Sequence, residues 1–141
     1  MKLSEHFTLG EVTKTNYVTK DGNFHSRVAI ENLTNICENW LEALRQAQGP
    51  LIINSGYRSP EVNKLAGGAP TSNHLTGCAV DIHVSGFEQA IRYASILLDI
   101  SDGTKLDYDE LFIEKNSSGR YWIHFAVRPK DNRRKSGFIK V

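Results

Sequence analysis

The chain has 141 residues, of which 40% are hydrophobic and 23% charged, and its net charge is +1. That length predicts one domain over residues 1–141, with enough core to fold without staples. The even charge balance excludes a disordered chain and a strongly electrostatic nucleic-acid binder, and no run approaches the roughly 20 apolar residues of a membrane span.

Met1 to Phe7 lacks the apolar core of a signal peptide, so the expectation is a chain without a Sec signal, cytoplasmic until exported by another route. Thr8 with Glu11 three residues on has the capping-box pattern and predicts a brief helix. Asp21-Gly22-Asn23 marks a turn. From about Val28 to Gln46, the residues Val28, Leu33, Ile36, Cys37, Trp40, Leu41 and Leu44 fall near helical spacing, and Gly49-Pro50 ends the run. Leu51-Ile52-Ile53 reads as a short strand entering the tight loop Asn54 to Pro60, and a second helix is expected from Pro60 to about Leu65.

Cys78 to Val84 reads as a buried strand. Phe87, Ala90, Ile91, Ala94, Leu97 and Leu98 make an amphipathic face, predicting a third helix from about Phe87 to Leu98. Two strands follow, about Glu110 to Lys115 and Tyr121 to Val127, joined by a hairpin loop at Asn116 to Gly119, with an edge strand at Phe138 to Val141. Mixed helices and strands with a hairpin predict an α+β domain on one antiparallel sheet. Cys37 and Cys78 lie far apart inside apolar patterns, which predicts two buried free thiols.

The chemistry concentrates in Ser72-Asn73-His74-Leu75-Thr76-Gly77-Cys78-Ala79-Val80-Asp81, with Trp122-Ile123-His124 further on. A catalytic zinc takes three protein ligands from His, Asp, Glu or Cys and keeps a fourth position for water. His74, Asp81 and His124 would supply that set. On a straight strand, seven residues would separate His74 and Asp81 by about 23 Å and put them on opposite faces, so a turn must intervene. Leu75-Thr76-Gly77 offers one, with glycine free to take a positive φ. His83 shares Asp81's parity, and Trp122 shares His124's, so both are expected beside the site.

These residues resemble the zinc D-alanyl-D-alanine carboxypeptidase and endopeptidase family, whose fold is shared with lysostaphin-type peptidases and the hedgehog domain. Ser72-x-His74-x-x-Gly77-x-Ala79-x-Asp81 matches the family pattern at every defined position. Ser4-Glu5-His6-Phe7-Thr8-Leu9, Ser55-Gly56-Tyr57-Arg58-Ser59-Pro60 with Asn63, Gly67-Gly68 and Trp122-Ile123-His124 follow in the family's order. The likeness is greatest to a compact branch common in phage and bacterial genomes.

The resemblance implies a small antiparallel sheet flanked by helices, with zinc held by His74, Asp81 and His124. It implies that Arg58 orients the substrate peptide, often through its terminal carboxylate, and that Ser72 contacts the same end. The implied activity is a D,D-carboxypeptidase or an L,D- or D,D-endopeptidase acting on peptidoglycan peptides, by a monomer with no nucleic-acid partner.

Many family members carry an acid three positions before the last histidine, where this chain has Tyr121. Glu114 on the preceding strand is therefore the expected general base. Asp107 and Asp109 are its reserves, Tyr121 is a candidate oxyanion donor, and a solvated surface glutamate is the alternative for position 114. His83 is a candidate hydrogen-bond donor to the tetrahedral intermediate, with a structural histidine as the alternative, and Trp122 is a candidate wall of the substrate groove, with core packing as the alternative. His6 and His25 are expected to be ordinary surface or partly buried residues. Lys130, Arg133, Arg134 and Lys135 read as a solvated basic tail, with contact to anionic wall polymer as the alternative. A competing expectation is a metal-binding module of the same fold that has lost catalysis and serves as an interaction or virion component. Another is a fold in which the three residues merely pack.

Overall fold

A computed structural model describes all residues, 1–141. Ser26 caps helix α1 (Arg27–Ile36) by accepting a hydrogen bond from the Ala29 amide. The helix runs through a π turn, Cys37–Leu41, into α2 (Glu42–Gln48), and Gly49 ends it at φ 87°. Its buried stripe is Ala29, Leu33, Ile36, Cys37, Trp40, Leu41 and Leu44; Val28, at its start, is exposed. Pro60 opens α3 (Pro60–Leu65). Helix α4 (Phe87–Thr104) runs six residues beyond the expected Leu98, its last turns packing Ile100 against the core and burying Ser101. No helix is long and apolar enough to cross a membrane.

Five strands, β1 (Ile53–Ser55), β2 (Ala79–His83), β3 (Glu110–Lys115), β4 (Tyr121–Ala126) and β5 (Lys135–Lys140), form one sheet in the order β1-β2-β4-β3-β5. The first four pair antiparallel. β5 starts three residues before the expected edge strand and pairs parallel to β3, so the sheet is mixed at that edge rather than wholly antiparallel.

Alternation divides the sheet into two faces. Val80, Ile82, Leu111, Ile123 and Phe125 are buried in the core with the stripe of α1–α2 and with Ala90, Tyr93 and Leu97 of α4. Trp40 and Phe125 rings meet at 5.0 Å. The opposite parity carries Asp81, His83, Trp122, His124, Glu110, Phe112 and Glu114 to the other face. All the polar chemistry of the sheet therefore stands on the side the helices leave open.

The N-terminal segment differs from expectation in one respect. Thr8 and Glu11 do form the reciprocal capping pair, with Thr8 N donating to Glu11 Oε1 at 3.1 Å and Glu11 N to Thr8 Oγ1 at 3.3 Å. They close a turn rather than start a helix, since no apolar periodicity follows to stabilise one. Both cysteines are buried and free, as expected.

Candidate metal centre

The stretch between His74 and Asp81 folds as a single 3-10 turn, Asn73–Thr76, that enters β2. Ser72 caps the turn, its Oγ accepting from the His74 amide at 3.1 Å. Gly77 ends it at φ 74°, and a Cβ there would stand 2.4 Å from the Ala29 carbonyl oxygen. Glycine is thus required twice over, by backbone conformation and by the close approach of α1. The turn reverses the chain so that His74 meets Asp81 despite their spacing.

His74 Nδ1 lies 2.6 Å from the carbonyl oxygen of Gly56. A carbonyl only accepts, so Nδ1 carries a proton, and Nε2, turned to Asp81, is the ring nitrogen a metal would take. Gly56 can hold this place because its α-carbon packs on Val12, where a Cβ would fall 2.0 Å from the carbonyl oxygen. His74 Nε2 is 3.3 Å from Asp81 Oδ1, and His124 Nδ1 is 3.1 Å from the same oxygen. One donor atom from each of the three residues lies within 4.8 Å of the other two. Tetrahedral ligands on zinc stand about 3.3 Å apart, so the set fits such an ion in both donor type and spacing.

The electrostatics fit a cation as well. Burial pushes the Asp81 carboxyl toward its neutral form, but the His74 and His124 imidazoles outweigh it and hold the group well below the usual carboxylate range. Burial also disfavours charge on His124, yet hydrogen bonds to Asp81 and Glu110 raise its pKa to about 10. With both ring nitrogens facing carboxylates, a proton on Nδ1 occupies the place where a metal would bind. Metal binding at this centre must therefore displace a proton and weaken in acid.

Arg58 approaches from the loop after β1. Its Nη2 donates to Asp81 Oδ2 at 3.2 Å and its Nε to Ser55 Oγ at 3.1 Å. Asp81 thus offers Oδ1 to the histidines while Arg58 holds Oδ2. The Arg58 loop is itself fastened from a distance: Asn23 Oδ1 accepts from the Ser59 amide at 2.7 Å, and Asp21 Oδ1 accepts from Ser59 Oγ at 2.9 Å. Arg58 lines a cavity of about 340 Å³ with Lys14, Tyr17, Asn54 and Tyr57. Ser72 lines a different one, of about 570 Å³, with Asn32, Cys78, Arg128 and Lys130. The two residues expected at one end of a substrate open onto separate cavities, and Ser72 serves His74 directly as its cap.

Glu114 pairs across the sheet with Trp122 and lies on the site face. Its Oε1 accepts from Trp122 Nε1 at 2.7 Å, and burial pushes its carboxyl above the usual range. It is not a solvated surface glutamate. Trp122 and His83, Cα partners across β2 and β4, stand on the same face.

The reserves do not reach the site. Asp109 is fully buried and bound by Arg133 through both oxygens, at 2.9 and 2.7 Å, while Asp107 pairs with Arg134 on the exterior. Tyr121 points to the opposite face, its ring 5.5 Å from Phe87, and so cannot serve as an oxyanion donor. The basic run is exposed, as expected, and its two arginines are also tied to acids: Arg133 holds Asp109, while Arg134 bonds Asp107 and Ser101 and covers the Tyr108 ring at 4.8 Å. His6 is structural, its Nδ1 2.7 Å from Glu42 Oε1, and His25 packs edge-on against Tyr57.

Sequence reasoning missed Glu110 and Asn73. Glu110 Oε1 stands 2.9 Å from His124 Nε2 and also accepts from Asn73 Nδ2 at 2.8 Å. The signal was present: on a strand, residue 110 shares the parity of residue 114.

Residues 5–110 match the family model described as Peptidase M15, a span that includes His74 and Asp81 and ends before Glu114 and His124. The chain is 34% identical over 125 residues to the zinc D-Ala-D-Ala carboxypeptidase of Streptomyces albus G, covering 83% of this chain and 48% of that protein. It thus spans about half the length of that relative. His124, outside the family match, is brought to the motif by β2–β4 register alone. On this evidence the chain belongs to the peptidase M15 family.

Proposed function

We propose that this protein is a zinc peptidase that hydrolyses D-alanine-containing peptide bonds of bacterial peptidoglycan. The observation that carries the reading is the clustering of the His74, Asp81 and His124 donor atoms on the sheet face that also bears Glu114. A relative named as a zinc D-Ala-D-Ala carboxypeptidase supports both the metal and the substrate class.

Zinc held by His74 Nε2, Asp81 Oδ1 and His124 Nδ1 would lower the pKa of water and polarise the scissile carbonyl. Glu114 supplies the proton relay. Its Oε1 is fixed by Trp122, leaving Oε2 to take the proton of the attacking water as the new C–O bond forms. The same oxygen then delivers the proton to the amide nitrogen as the C–N bond breaks. A buried, raised carboxyl suits this exchange because its proton affinity lies closer to neutrality than that of an exposed glutamate. Arg58 keeps Nη1 free while Nε and Nη2 are engaged, and a guanidinium so anchored can bind a peptide carboxylate beside the centre.

The rival reading, a metal-binding module without catalysis, rests on the absence of an acid at position 121. That position points away from the centre, so an acid there would not reach it, and Glu114, on the face that bears the three donors, is the candidate base in its place. The test is digestion of purified muropeptides by zinc-reconstituted protein, read by mass spectrometry. Loss of D-alanine or of a cross-link is expected, and which of the two occurs separates carboxypeptidase from endopeptidase. Glu114→Gln should lower turnover by about 10²- to 10⁴-fold while zinc content stays stoichiometric. Intact muropeptides after incubation with fully loaded protein would establish the rival. Cell-wall degradation in a phage or prophage setting, implied by the resemblance, is part of this proposal, and clearing of a sacculus suspension tests the wall-degrading half.

A further inference from the structure

Strand β3 carries two glutamates four residues apart on the site face, and the reaction uses one of them. Glu110 turns to a histidine instead. Its Oε1 faces His124 Nε2 at 2.9 Å, on the side of the ring away from Asp81. A neutral imidazole has one N–H and one lone pair, so a carboxylate on Nε2 places the proton there and leaves Nδ1 as the donor.

The carboxylate is itself held. Asn73 Nδ2 donates to Glu110 Oε1 and to Asp109 Oδ2, each at 2.8 Å, while Asn73 Oδ1 accepts from Arg128 Nε at 3.2 Å. Asn73 immediately precedes His74 and is buried. A single amide therefore ties the turn bearing one ligand to the carboxylate behind another. We infer that Glu110, braced by Asn73, is a positioning residue that locks the His124 ring with Nδ1 toward the metal. The inference rests on the metal-centre reading above, but not on catalysis.

Zinc affinity, measured by competition with a chromogenic chelator, tests it. Glu110→Ala should weaken zinc binding by about 10- to 100-fold, and Glu110→Gln, which keeps an acceptor at the same place, should recover all but about threefold of the loss. Asn73→Ala should show a smaller loss in the same direction. Thermal melting of the metal-free variants controls for folding, since a merely structural role would lower the melting temperature without the glutamine rescue of affinity. Nitrogen NMR of the wild-type imidazoles gives a readout that needs no variant: His124 should carry metal on Nδ1 and a proton on Nε2. Unchanged zinc affinity in folded Glu110→Ala, or metal on Nε2, would overturn the inference. Failure of the metal centre itself would look different, as stoichiometric zinc retained by His74→Ala.

Discussion

Asp81, His124, Glu110 and Glu114 stand on strands, whereas Arg58, Ser72 and His74 stand on the loops that lead into the sheet. The strand residues are placed by register. Asp81 opposes His124 and Glu114 opposes Trp122, so backbone hydrogen bonds shared along each strand set their spacing. The loop residues lack a ladder and are held by separate contacts, most of them through side chains. Gly56 O fixes His74, Ser72 caps its turn, Arg58 N donates to His74 O, and Asn23 with Asp21 grips the segment after Arg58. A register tolerates the loss of one side chain better than a loop tolerates the loss of such a clasp. The loop half should accordingly be the easier half to break.

The largest effect is expected at the junction of the two halves. His74→Ala removes the one ligand that a loop supplies, and the purified protein should retain no zinc by elemental analysis; a stoichiometric content would refute the ligand set. Arg58→Ala should follow, with kcat/KM on muropeptides falling about 10²-fold through the lost charge-assisted contact. A guanidinium that only touched substrate would leave the metal alone, as the sequence reading expects. Its bond to Asp81 Oδ2 instead implies a loss of zinc affinity of about tenfold, read by chelator competition. Unchanged affinity would return Arg58 to a purely substrate-facing role.

Asp109 tests the brace between the halves through pH. Burial pushes its carboxyl up, but hydrogen bonds from Arg133 and Asn73 outweigh this and hold it at about 2, against an ordinary 3.8. A depressed folded-state pKa contributes stability that is present above the unfolded value and lost as pH falls through the folded one. That contribution is about 2 kcal/mol, fully present near neutrality and lost between about pH 4 and pH 2. In urea titrations, the gap in stability between wild type and Asp109→Asn should therefore close over that window. A gap independent of pH would show that the pairing adds nothing.

The smallest effect is expected at the outer clasp. Asn23 sits at φ 52°, so Asn23→Gly keeps the backbone while removing the bonds to Ser59 and Thr13. A stability loss of about 1–2 kcal/mol is expected. With the Arg58 loop loosened, KM should rise more than kcat falls. An equal fall in kcat would mean that the clasp acts on the metal centre instead.

Much of this was legible in the residues. Helical spacing located α1–α2, apolar strand patterns located β2, β3 and β4, and the Ser72 to Asp81 pattern singled out His74 and Asp81, whose donor atoms one turn brings together. Those signals are local, because periodicity and turn chemistry depend on neighbours along the chain. Glu110 was legible in principle, since its parity matches that of Glu114, but parity does not say which partner lies opposite. The pairing of Arg133 with buried Asp109 and of Arg134 with exposed Asp107 was not legible, because the partners lie 24 and 27 residues apart in the chain. The parallel pairing of β5 with β3, also between distant segments, was hidden for the same reason.

The sequence by itself determined the order of elements, the donor types for a zinc ion and the family likeness, because each is written in contiguous or fixed-spacing residues. Only the tertiary structure decided that Glu114 shares the face of the candidate centre while Tyr121 does not, that Arg58 grips Asp81, and that Glu110 stands behind His124. These depend on strand pairing and on contacts between residues distant in the chain, where a shift of one position would exchange the two faces of the sheet.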